Sequence, residues 1–109
     1  MQDLYNGIGE NIAKLRKAID KRYRVSIKRA RAEYEYRALL GREMANQRCN
    51  GMAATALYEY CRGLDKIADL RCKRDIEQAK EDYLTEMIYY YKTEIRIAEN
   101  QIKAIQQGK

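Results

Sequence analysis

The chain has 109 residues, a formal net charge of +6 and no His, Trp, Phe or Pro, and all ten of its aromatic residues are Tyr. A chain this short has room for one domain and a modest core, so a second copy or another partner is expected to cover its apolar surface. Without His it lacks the usual proton shuttle near neutral pH, His-paired nucleophiles and most transition-metal sites. The composition therefore predicts a binding protein with no catalytic site, no metal and no cofactor.

The first residues, Met-Gln-Asp-Leu-Tyr-Asn-Gly, lack the basic start and apolar core of a secretory signal. The longest apolar run, near Met52 to Tyr58, is far too short to span a bilayer. Together they predict a cytoplasmic protein with no membrane partner. Cys49, Cys61 and Cys72 show no Cys-x-x-Cys spacing, which fits a reducing compartment and small packing residues.

From the N-terminus, apolar residues fall at Leu4, Ile8, Ile12, Leu15, Ile19, Tyr23, Ile27, Ala30, Tyr34 and Ala38, in steps of three and four that define one helical face. No Pro interrupts this stretch, and the next strong stop is Asn50-Gly51, a pair suited to a helix C-terminus. A first helix over about residues 3–48 follows. Gly7 and Gly9 make its opening turns the weakest.

A short helix over 52–62 closes at Gly63, and Asp65 can cap a third over about 65–106. The third helix has a seam of Ala68, Cys72, Ile76, Ala79, Tyr83, Met87, Tyr91, Ile95, Ala98, Ile102 and Ile105. Two long helices joined by a short one predict an all-α antiparallel hairpin. Neither stripe is covered by one neighbour alone, so the hairpin is expected to pair into a helical bundle as a homo-oligomer. The steps drift toward an eleven-residue repeat, which argues against a regular left-handed coiled coil. Glu33 with Arg37, Asp69 with Lys73, Arg71 with Asp75 and Glu99 with Lys103 are spaced for local ion pairs.

Charge is divided unevenly. Residues 1–50 hold twelve Lys or Arg against six acids, and residues 51–109 hold ten against ten. Between Lys14 and Arg31, nine basic residues meet one acid, Asp20. Lys14, Lys17, Lys21, Arg24, Lys28 and Arg31 recur in alternating steps of three and four, forming a stripe roughly opposite the apolar seam. An ordinary solvated face usually mixes signs, because like charges one turn apart repel. In an antiparallel hairpin Glu81, Asp82, Glu86 and Glu94 would partly neutralise the stripe. The functional reading is phosphate binding along a nucleic acid, with Tyr23 and the run Tyr89-Tyr90-Tyr91 placed to stack on unpaired bases. No helix-turn-helix, zinc-finger or basic-zipper pattern is present, so recognition should be independent of sequence.

The turn offers an alternative anion site. Arg48, Thr55, Arg62, Arg71 and Arg74 lie near the start of the short helix, a compact arrangement that suits a phosphorylated nucleotide better than a polymer.

From Glu35 to Tyr83, the segments Glu-Tyr-Arg, Asn-Gly-Met-Ala-Ala-Thr, Cys-Arg-Gly and Ile-Ala-Asp-Leu-Arg-Cys-Lys-Arg-Asp occur in order. This resembles small helical proteins encoded by phages and prophages of Gram-positive bacteria. Their pattern is a long helix, a Gly-Met-x-Ala-Thr turn, an Ala-Arg-Gly stop and a Leu-Arg-x-x-Arg-Asp helix. Cys61 stands where the pattern has Ala, and the basic stripe lies outside the matching region. The resemblance implies a phage setting in a bacterial cytoplasm and leaves the activity open. One possibility is an accessory protein of phage DNA replication or recombination; another is a counter-defence protein that blocks a host defence protein or sequesters its nucleotide signal. A third reading, from the helical pattern itself, is an assembly scaffold.

Overall fold

Ala, Leu, Lys, Arg, Glu and Met dominate two long Pro-free stretches, and such residues lose little side-chain freedom in a helix. The computed structural model describes residues 1–108 and contains three helices, α1 (Gln2–Cys49), α2 (Ala54–Arg62) and α3 (Asp65–Gln107), with no strand among the described residues. The long helices end within a residue or two of the positions expected from sequence. α2 begins two residues later than expected, after Ala53 in an extended conformation.

The reversal after α1 depends on Gly51, whose φ of 96° lies where a side chain would be strained. Its N–H donates to the Arg48 carbonyl, and the Met52 N–H reaches back to the Gln47 carbonyl. These bonds satisfy carbonyls that the helix end would otherwise leave open. Arg48 adds a side-chain bond from Nη1 to the Met52 carbonyl at 2.9 Å. Gly63 is different, since its φ of −82° is open to any residue. The Gly63 N–H donates to the Glu59 and Tyr60 carbonyls at the end of α2, and Asp65 brings an acid to the first turn of α3.

The backbone packs as two compact units, one of Met1–Arg24 with the α3 residues from Lys80 on, the other of Val25–Ala79. The second unit holds the largest core. Tyr36 and Leu40 of α1, Leu57 and Cys61 of α2 and Ile67 of α3 are buried together, with Leu39, Met44, Met52, Leu64 and Leu70 packed around them. Leu57 and Cys61 are one turn apart, so the short helix turns a single edge inward. In the first unit Ala18, Leu84 and Ile102 are buried. Half-buried Leu4, Ile8, Leu15, Ile88, Tyr91, Ile95 and Ala98 extend that core.

The buried line on α1 differs from the expected seam. It runs through Leu4, Ile8, Asn11, Leu15, Ala18, Arg22, Val25, Arg29, Ala32, Tyr36, Leu39 and Glu43, all buried or half-buried, in strictly alternating steps of four and three. From Leu4 to Tyr36 that is a seven-residue repeat, whereas beyond Tyr36 the buried Leu40 and half-buried Met44 follow in steps of four, so the expected drift shows only at that end. Ile12, Ile19, Tyr23, Ile27 and Tyr34, assigned to the seam from sequence, are exposed. On α3 the expected seam is right from Met87 to Ile102. Ala68 is half-buried as expected, but between it and Met87 the seam is shifted, since Cys72, Ile76, Ala79 and Tyr83 are exposed while Arg74 and Glu81 are half-buried, and Ile105 at the far end is exposed. The steps of three and four were correct, but they tracked the larger side chains and passed over Ala18, Val25 and Ala32, whose small size lets the helices approach.

Of the expected local ion pairs, Glu33–Arg37 forms at 2.6 Å. Lys73 turns instead to Glu35 at 3.6 Å, and Asp75 to Arg74 at 2.9 Å.

Two outcomes test this core. Ile67, 2% exposed, should cost about 2–5 kcal/mol of unfolding free energy when changed to Ala, measured by urea denaturation. Burial pushes the Cys61 thiol up, and the nearby Glu43 carboxylate adds to the effect, whereas Cys49 and Cys72 are exposed. A thiol reagent should therefore modify Cys49 and Cys72 in the native protein and reach Cys61 only on unfolding. Equal reaction at all three would show that the core is open.

Candidate nucleic-acid interface

All six residues of the basic stripe, Lys14, Lys17, Lys21, Arg24, Lys28 and Arg31, are exposed. The stripe flanks the buried line of α1 rather than standing opposite it, because the buried line itself is displaced from the expected seam. The first unit contains Lys14, Lys17, Lys21 and Arg24, and the second contains Lys28 and Arg31.

In the first unit the flank meets α3. Lys14, Lys17 and Lys21 line a groove of about 220 Å³ with Ala18, Tyr83, Leu84, Met87 and Tyr91. Arg22, on the neighbouring row, donates from Nε to the Thr85 hydroxyl at 2.8 Å and fixes the register of the two helices there. Arg24 is paired with Asp20 one turn back. Lys14, Lys17 and Lys21 have no carboxylate within ion-pair distance among the described residues. The neutralisation expected from the acids of α3 does not reach these three, and their charge faces solvent uncompensated.

The tyrosines divide differently from the sequence expectation. Tyr83, which the sequence placed in the core, is 63% exposed and forms the groove wall with half-buried Tyr91. Tyr90 lies seven residues beyond Tyr83 on the same row of α3, and its ring stands edge-on to Tyr91 at 5.5 Å. Tyr23 and Tyr89 are exposed, but helical spacing puts each on the flank away from the lysines. A signal for Tyr83 was present in the sequence, since Ile76, Tyr83, Tyr90 and Ile97 are spaced by seven. It became readable only once the buried line was known.

The residues proposed from the turn do not form one site. Arg48 is committed to the Met52 carbonyl, Thr55 is exposed, and half-buried Arg71 lies outside the cavity that the others share. Arg62 and Arg74 do converge, together with Arg37, around a cavity of about 330 Å³ in the second unit that Glu33, Tyr36, Leu40 and Tyr58 also line. The Arg74 guanidinium lies 4.6 Å from the centre of the Tyr36 ring and that of Arg62 lies 5.2 Å from Tyr58. Acids match these cations. Glu33 bridges Arg37 and Arg74, at 2.6 and 3.3 Å, Asp75 holds Arg74 and Glu59 lies 3.9 Å from Arg62. The cluster joins the helices of the second unit and carries little uncompensated charge.

Glu33 gives that cluster a pH signature. The hydrogen bond from Arg37 holds its carboxyl below the usual range; desolvation opposes the shift, and the charge of Arg74 reinforces it. A carboxyl whose folded-state pKa is lowered contributes stability above its unfolded pKa, and this is lost as pH falls through the folded value. Glu33→Gln should therefore destabilise the protein by about 1 kcal/mol at neutral pH. Its unfolding curve should merge with that of the parent as the medium becomes more acidic than the carboxylate range. A constant gap at all pH values would show that packing, and not charge, holds Glu33 in place.

Among the described residues no group of His, Cys, Asp or Glu side chains gathers as a metal site would require, and no helix is long and apolar enough to cross a membrane. The chain matches no family model, no curated protein and no solved structure.

Proposed function

We propose that this protein binds nucleic acid without catalysis and without sequence preference, through the lysine and tyrosine groove of its first unit. The observation that carries the proposal is the company that Lys14, Lys17 and Lys21 keep: three cations without carboxylate partners share one groove with Tyr83 and Tyr91. Lys14 and Lys21 are seven residues apart, about 10 Å along the helix, so the row extends along a backbone of phosphates rather than enclosing one. A cation row captures phosphate by releasing condensed counterions, and an exposed phenol ring offers a stacking face that every base can use. Tyr83 is the most exposed ring of the groove and is the stacking residue. The setting we propose is the phage one implied by the Glu35–Tyr83 pattern, with the protein acting as an accessory in replication or recombination.

Binding should be measured by fluorescence anisotropy with labelled single- and double-stranded oligonucleotides. About three phosphate contacts give a log–log salt slope near −2 on a single strand, so affinity should fall on the order of twentyfold between 50 and 200 mM salt. Lys17→Glu with Lys21→Glu should abolish binding without loss of helicity. Tyr83→Ala should weaken single-strand binding roughly tenfold and leave the salt slope in place. Unchanged affinity in the double lysine variant would sink the proposal.

A further inference from the structure

The opposite flank of α1 in the first unit carries a different surface. Tyr5, Ile12 and Ile19 follow one another at seven-residue intervals, and Tyr23 lies one turn beyond Ile19. They are 48%, 37%, 48% and 67% exposed. With about 200 Å² for a fully exposed large apolar side chain, roughly 400 Å² of apolar surface lies open in this row. That is the size of the largest patch on an ordinary monomer, and such patches are often functional.

We infer that this row is the contact face for a second copy of the chain, laid antiparallel across α1. The first reason is area: two such rows supply about 800 Å², and with the residues bordering them reach the roughly 1,200 Å² at which specific interfaces begin. The second is charge. A two-fold axis level with residues 17–18 sets Ile12 of one copy against Tyr23 of the other and Arg16 of one near Asp20 of the other, each twice by symmetry. The two pairs centre on nearly the same level of the helix, within about one residue of each other near position 18. Arg16 is exposed and has no carboxylate partner among the described residues, so it can share Asp20 of a second copy with the Arg24 to which that Asp20 is already paired. The lysine flank fails this test, since two copies meeting there would oppose lysine with lysine. The third reason is shape. Gly9 and Ala13 border the row, and a Cβ built on Gly9 meets nothing within 4 Å, so the second helix has room to come close. This inference does not rest on the nucleic-acid reading, because its residues and those of the groove lie on opposite flanks.

Sedimentation velocity over a dilution series, with cysteine cross-linking, tests it. The full chain should sediment at twice 12.9 kDa at high concentration. Ile12→Glu with Ile19→Glu should return it to the single-chain mass without loss of helicity. Arg16→Asp should weaken the dimer, and adding Asp20→Arg should restore it. In a Cys49→Ser, Cys72→Ser background, Ile19→Cys should form a disulfide-linked dimer on oxidation, whereas Tyr83→Cys should not. A single-chain mass across the whole series overturns the inference. So does a dimer that survives the double glutamate variant, or one that cross-links through Tyr83→Cys and not Ile19→Cys. Nucleic-acid binding by the double glutamate variant would leave the groove reading standing by itself.

Discussion

The backbone reversal at Gly51 governs the packing of the second unit. A residue at φ 96° turns the chain with two backbone hydrogen bonds and starts α2 against the end of α1. Leu57 and Cys61 then pack on Tyr36 and Leu40, and Ile67 of α3 closes the cluster. Within the second unit Glu33 meets Arg74 and Glu35 meets Lys73, and within the first Arg22 meets Thr85.

The buried line is sparing in apolar volume. Ala18, Val25 and Ala32 are small, and Asn11, Arg22 and Arg29 are polar and half-buried. Small residues bring helices close, and close helices leave no space between them for Ile or Tyr at the flanks. The larger apolar side chains are displaced outward, where they give each flank its character. One flank of α1 in the first unit joins lysines to the tyrosines of α3, and the other presents isoleucine and tyrosine with charges of both signs.

Uncompensated charge is what separates the groove from the arginine cluster. The cluster of Arg37, Arg62 and Arg74 has as many carboxylates beside it, those of Glu33, Asp75 and Glu59. An anion entering there must compete with carboxylates already in place. Lys14, Lys17 and Lys21 face no such competition, and a phosphate arriving at them displaces only solvent and loosely held counterions.

The sequence by itself determined the three helices, their ends to within about two residues, the reversal at Asn50-Gly51 and the concentration of positive charge in α1. These are local properties: helix propensity, the conformational freedom of one glycine, and the count of charges along the chain. Which face of each helix is buried was decided only by tertiary structure. Apolar residues cover more than half of the circumference of α1, so steps of three and four can be drawn through Ile12, Ile19 and Tyr23 as readily as through Leu15, Ala18 and Val25. The partner helix selects the second line because small side chains there permit the closer approach. A shift of the buried face by one or two residues turns the whole helix, and with it moved Tyr83 out of the core, Tyr23 away from the lysines, and the basic stripe from the far side of the helix to the rim of a groove.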